Sequence, residues 1–220
     1  DGILPSRVDV ALGIELADTE RLTGVKQGET MWMSVNQFVV KLGDKTALID
    51  TGAADRMYPS HGLMIGDMKK RGVDPADVDY IFITHLHPDH MYGLVAADGS
   101  ANFPKAEIFL HEKEANFWIG ATPNTGKATV DKNILQVERH LRDYKERLRI
   151  VRDGEVLPNV SIKCCPGHTP GHSAWIIHSG KEEAMMWGDT IHLQNVQTAH
   201  PEVATIYDLD GELGARSRRT

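Results

Sequence analysis

The sequence predicts one α+β domain, and three observations carry that expectation. Its 220 residues suit one sizeable core. Short apolar runs of the kind found in buried strands accompany a long stretch with helical periodicity. Polar loops rich in glycine and proline separate these segments, and many of the histidines lie in them.

Composition narrows the function classes. Apolar residues make up 41% and charged residues 25%, ordinary for a globular protein. The net charge of −7 argues against nucleic acid as a partner, which would need a basic face. No apolar run approaches the roughly 20 residues needed to span a bilayer, so neither a transmembrane helix nor a membrane partner is expected. The chain begins DGILPS, with no initiator Met and no signal-peptide pattern. The compartment, cytoplasmic or periplasmic, stays open. Cys164 and Cys165 are adjacent, a poor geometry for a mutual disulfide. They are expected as buried free thiols in a strand.

Residues 35–50 read as a hairpin turned by Gly43 and Asp44. A helix is expected around 61–72, stopping at Gly72. The run VDYIFIT, 78–84, has the continuous apolarity of a strand buried on both faces. Another strand is expected at 106–111. Residues 133–151 are expected to be helical, with Ile134, Leu135, Val137, Leu141, Tyr144 and Leu148 as the apolar stripe. Strands near 155–165, 173–178 and 184–188 follow.

The sharpest signal is ITHLHPDHMYGL, 83–94, just after the second predicted strand region. It holds His85, His87, Asp89 and His90. In an extended loop, positions 85 and 87 point the same way, so two imidazoles can grip one ion. Asp89 and His90 can then face a second. Imidazole nitrogen and carboxylate oxygen suit borderline metals such as Zn²⁺. Crowding these groups without an ion would cost desolvation. Two later segments offer further ligands: His168 in PGHTPGH and Asp189 in MMWGDT. His61, His140 and His178 are expected to be surface or core-satisfying residues.

The motifs HLHPDH (85–90), PGHTPGH (166–172), GD (188–189) and LIDTGA (48–53) resemble those of the metallo-β-lactamase-fold hydrolase superfamily. The likeness covers residues 35 to about 210. It is nearest to the methyl parathion hydrolase and acyl-homoserine-lactone lactonase branch, through PGHTPGHS, GDTIH and HPEVATIYDLD. The resemblance implies a four-layer αββα sandwich and two divalent ions, Zn²⁺ first, with Mn, Fe or Co as alternatives. His85, His87 and His168 would hold one ion, Asp89 and His90 the other, and Asp189 would bridge them. Asp89 and Asp189 are the catalytic candidates. HEKEANFW resembles a segment of that branch in which an aromatic residue can line the substrate pocket, making Trp118 a weaker candidate, with Phe117 and Trp118 as core-facing aromatics the equal alternative. His172 and His192 are expected as outer partners of the ligands.

The family pattern ends with one more histidine well downstream of the bridging aspartate. Only 31 residues follow Asp189, and His192 and His200 lie outside a matching motif. The chain is therefore expected to be a shortened version of one domain, lacking the family's first strand and its C-terminal elements. The activity implied is hydrolysis of a small ester, lactone or organophosphate, with a homodimer as the mild expectation. The rivals are a glyoxalase-II-like thioesterase, a mononuclear iron sulfur dioxygenase, and an inactive relic acting as a binding protein.

Overall fold

The computed structural model describes residues 1–220. In chain order the strands are β1 (Gly2–Ser6), β2 (Ala11–Leu12), β3 (Met31–Val35), β4 (Phe38–Leu42), β5 (Lys45–Ile49), β6 (Tyr80–Phe82), β7 (Glu107–His111), β8 (Leu148–Val151), β9 (Gly154–Leu157), β10 (Val160–Cys164), β11 (Ser173–Ser179), β12 (Glu182–Met186) and β13 (Ala204–Thr205). The α-helices are α1 (Leu16–Thr23), α2 (Met64–Lys70), α3 (Pro88–Met91), α4 (Glu112–Trp118), α5 (Ala128–Leu141), α6 (Gln194–Gln197) and α7 (Gly211–Arg218). None is long and apolar enough to cross a membrane.

Two sheets pack face to face. One has the order β4-β5-β6-β7-β8, and the other β12-β11-β10-β9. In the first, β4 and β5 form the expected hairpin, with Leu42 opposite Lys45, while β5 to β8 run parallel. Strand alternation splits the core in two. Ala47, Ile49, Phe82 and Phe109 face the second sheet and meet Val160, Ile162 and Trp175 there. Leu48, Ile81, Ile108 and Leu110 point the other way, into a larger core with Met68 of α2, Trp118 of α4 and Val137 of α5. Lys163, which points away from the inter-sheet core, bonds the Thr220 carbonyl at 3.2 Å just past the end of α7. The layers thus run helix, sheet, sheet, helix, as expected.

The helix expected at 133–151 is displaced. It runs from Ala128 to Leu141, and the chain then tightens into a 3₁₀ segment, Arg142–Arg147. Leu148 starts β8, which pairs with β7 from Ile108↔Leu148 to His111↔Val151. Helical spacing between Tyr144 and Leu148 was a coincidence that strand pairing overrode. Leu135, counted in the stripe, is exposed. Cys164 and Cys165 are free.

Candidate metal centre

The active-looking loops all leave the same end of the two sheets. After β6 an irregular segment leads to His87, whose extended backbone occupies the N-cap position of α3, and Pro88 occupies the first turn. Proline fits there because its missing N–H has no partner in a first helical turn. That segment brings His85 and His87 together, with ring centroids 4.7 Å apart. Asp89 and His90 reach the site by a helical turn, not by continued extension.

His168, on the loop between β10 and β11, closes the first cluster. Its Nε2 lies 2.8 Å from His87 Nδ1 and 3.1 Å from His85 Nε2. Asp189 closes the second: Oδ1 is 3.2 Å from His90 Nε2, and Oδ2 is 3.3 Å from His168 Nε2. The carboxylate therefore stands between the two groups. His192 adds a third, with its Nε2 3.2 Å from Asp189 Oδ2. Three sets of converging ligand atoms result: His85, His87 and His168; His85, His90 and Asp189; His168, Asp189 and His192. Asp89 belongs to none of them and sits beside the second, 3.7 Å from His90 Nε2.

The two histidines expected as outer partners separate. The His192 side chain is 5% exposed, and neither ring nitrogen has a well-formed hydrogen bond. Those unpaired nitrogens, and the convergence of two imidazole nitrogens within 3.1 Å of His168 Nε2, fit a site for a divalent ion. His172 is fully engaged instead. Its contacts put the proton on Nδ1, toward the Cys165 carbonyl at 3.2 Å, while Nε2 accepts the Asp189 N–H at 2.9 Å. It holds the Asp189 turn in place. Gly188 precedes Asp189 at φ +52°, and a Cβ there would lie 2.7 Å from His172 Nε2, so glycine is required. His200 is half exposed and pairs with Glu202.

Several groups that sequence reasoning passed over fix the ligands. Asp50, inside LIDTGA, is buried and accepts the Thr84 N–H, the Thr84 hydroxyl and His90 Nδ1–H, each at 2.8 Å. The Thr84 hydroxyl in turn lies 3.1 Å from His85 Nδ1. These contacts leave Nε2 of both histidines free to face the centre. Asp208 lies behind His168, 3.4 Å from Nδ1. Trp118 does not reach the substrate side. It is 1% exposed, donates its indole N–H to Glu114 at 2.7 Å, and meets His87 edge-on.

Charge is distributed unevenly. Burial drives the pKa values of His85 and His168 well below the usual imidazole range, with neighbouring imidazoles adding to the effect on His85. Burial likewise pulls His87 down to about 4 and His172 to about 3. Burial also opposes charge on His90 and His192, but Asp189 outweighs it and raises both, with Asp50 and Asp89 helping at His90. Asp189 is itself held well below the usual carboxylate range: burial works against its charge, and His90, His192 and His168 more than offset this. The centre offers neutral imidazoles on one side and a charged histidine–aspartate group on the other.

A cavity of about 540 Å³ opens over Asp89, His90, Asp189 and His192. Its walls carry Trp32, Phe38, Met185 and Trp187, all partly exposed apolar side chains.

A family model described as the metallo-β-lactamase superfamily matches residues 30–213. The chain belongs to the metallo-β-lactamase superfamily. Among solved structures, the hydrolase AbOPH, described as in the β-lactamase superfamily, superposes with a TM-score of 0.91 and 29% identity. The match covers 99% of this superfamily member and 78% of that chain. AidC, a dizinc quorum-quenching lactonase, gives a TM-score of 0.89 and 26% identity, over 100% and 79% of the two chains. An N-acyl homoserine lactonase from Bacillus sp is 25% identical over 181 residues, 70% of this chain and 62% of that protein. An atrochrysone carboxyl ACP thioesterase from Passalora fulva is 26% identical over 185 residues, 80% of this chain and 46% of that protein. The chain thus spans less than two thirds of these curated relatives.

Proposed function

We propose that this chain carries the centre of a metal-dependent hydrolase acting on a carboxylic ester or lactone with an apolar substituent. The observation that carries this reading is Asp189 standing between two histidine clusters at the floor of an apolar-walled cavity. His85, His87 and His168 would hold one divalent ion; His90 and Asp189 would hold a second, with His192 and Asp89 at its edge. Divalent ions held there supply Lewis acidity toward a substrate oxygen and a hydroxide nucleophile near neutral pH.

The protein's own groups do the rest. Asp50 and Thr84 engage the Nδ1 atoms of His90 and His85 and so turn the Nε2 atoms of both rings toward the centre. His172 anchors the Asp189 backbone, so the carboxylate keeps its aim at both clusters. Asp89 and His192 line the cavity beside Asp189 and could accept or return a proton there. Trp32, Phe38, Met185 and Trp187 cover an apolar group and exclude water from it. The lactonase and thioesterase relatives, and the dizinc structure AidC, support acyl transfer to water as the reaction class.

The first test is metal content per chain by elemental analysis after exhaustive dialysis. It is paired with hydrolysis of an N-acyl lactone, an aryl ester, an acyl thioester and an aryl phosphotriester. About two ions per chain and turnover of the lactone or ester are expected, with Asp189→Ala abolishing that turnover. Full turnover by Asp189→Ala would sink the reading.

A further inference from the structure

Glu114 is fully buried, and no cation faces it. All four groups within hydrogen-bonding distance of its carboxylate are neutral donors. Oε1 accepts the Leu86 N–H at 2.9 Å and the Trp118 indole N–H at 2.7 Å. Oε2 accepts the Thr169 hydroxyl at 2.6 Å and the Gly171 N–H at 3.1 Å. Leu86 lies between His85 and His87. Thr169 follows His168. One carboxylate on α4 therefore ties together the two loops that bring the three imidazoles of the first cluster into contact.

The surrounding packing shows how tightly this junction is drawn. The Leu86 peptide is held from its other side by Asn133 of α5, whose Nδ2 donates to the Leu86 carbonyl at 2.8 Å. A Cβ on Gly171 would lie 1.9 Å from the Glu114 nitrogen, so that loop presses directly on the α4 backbone. Burying a carboxylate without a counter-charge is costly. A core-filling role alone would be met by an apolar side chain without that cost. What the carboxylate adds is four acceptor directions on one rigid fork, aimed at two separate loops.

We propose that Glu114 is a positioning residue for the metal centre, a carboxylate that sets the separation of the His85–His87 loop from the His168 loop before any ion arrives. This role rests on the metal-centre reading above. Outer partners that orient ligands are typically worth roughly 10–100-fold in metal affinity, and Glu114 orients two ligand-bearing loops at once.

The test uses Co(II) as probe on the metal-free chain. Binding is followed by competition with a chromophoric chelator and by the visible Co(II) absorption, which reports ligand number and geometry. In Glu114→Gln the amide oxygen can keep the Leu86 and Trp118 bonds, and the Thr169 hydroxyl can rotate to accept from the amide. The Gly171 N–H then meets an N–H and is released, loosening the His168 loop. A folded Glu114→Gln chain should bind Co(II) about 10–100-fold more weakly with an altered spectrum, while the melting temperature of the metal-free protein moves little. A role confined to stability would lower the melting temperature and leave the affinity and spectrum of the folded protein unchanged; that result overturns the proposal. If Glu114→Gln does not fold, Thr169→Val removes one tie from the His168 loop, and its affinity must fall in the same way or the proposal fails. Wild-type protein that takes up no Co(II) overturns the metal-centre reading itself, whereas normal wild-type uptake with unchanged uptake by the variants overturns only the role of Glu114.

Discussion

Replacing Asp50 with Asn changes one atom behind the metal centre and should cost the second ion. Asp50 has φ +56°, a left-handed conformation that asparagine tolerates, so the backbone should survive. The carbonyl oxygen of the new amide can keep the Thr84 N–H. Its nitrogen then stands where Oδ2 accepted His90 Nδ1–H at 2.8 Å. Two donors cannot face each other, so neutral His90 must shift its proton to Nε2. That is the atom 3.2 Å from Asp189, the one that would ligate. Losing a charge-assisted hydrogen bond costs about 1.5–3 kcal/mol, equivalent to roughly 10–150-fold in affinity. The assay is a chelator-competition titration, with elemental analysis after dialysis and ¹⁵N shifts of His90 in the metal-free protein near pH 8. One ion per chain should be retained, by His85, His87 and His168, and the other lost. Wild-type affinity for both ions, or a His90 proton still on Nδ1 alone, would refute the reasoning.

Metal uptake near pH 7 should release protons and tighten as pH rises, because His90 and His192 have raised pKa values and hold protons that an ion must displace. Calorimetry in two buffers of different ionisation enthalpy counts them, and zero protons released would contradict the assignment. The metal-free fold should weaken as pH falls below about 6.5. There the unfolded chain protonates imidazoles whose folded values lie lower, at about 4 for His87 and about 3 for His172. The raised His90 and His192 add no slope in that window, since both states are protonated below the unfolded value. Each lowered histidine contributes about 1.4 kcal/mol per pH unit at most, so urea midpoints at pH 7, 6 and 5 should fall steadily; a flat series would count against burial of these rings. Trp187→Ala should leave stability within about 0.5 kcal/mol, as for exposed positions generally, while raising KM several-fold for substrates with long apolar groups. An unchanged KM would remove that wall from the substrate site.

The histidine motif was legible because its chemistry is local. Six positions from His85 to His90 hold four ligand-type side chains, a crowding that costs desolvation unless the groups find a partner such as a bound ion. Strand periods, the Gly43–Asp44 turn and the absence of a long apolar span are local in the same sense. The helix at 133–151 misled because Leu148 satisfies both a helical stripe and a strand, and pairing with β7, some 40 residues earlier, decided between them. His172 and His192 each lie within four positions of a candidate ligand, which suggested similar roles, yet His172 is spent on the Cys165 carbonyl and the Asp189 N–H while His192 converges with His168 and Asp189. Trp118 sat in a motif that pointed to the pocket, but the period of α4 turns it inward to Glu114.

The sequence by itself determined the candidate metal-binding motif, through ligand-type residues at short spacings, and the likeness of its motifs to a known superfamily implied the sandwich. Only the tertiary structure decided which imidazole nitrogens are free, which carboxylates hold them, and which apolar residues wall the cavity. Asp50 meets His90 across 40 positions and Glu114 meets Thr169 across 55. Contacts at that separation exist only once the two sheets and α4 have packed, because no local pattern encodes which distant donor a buried carboxylate will face.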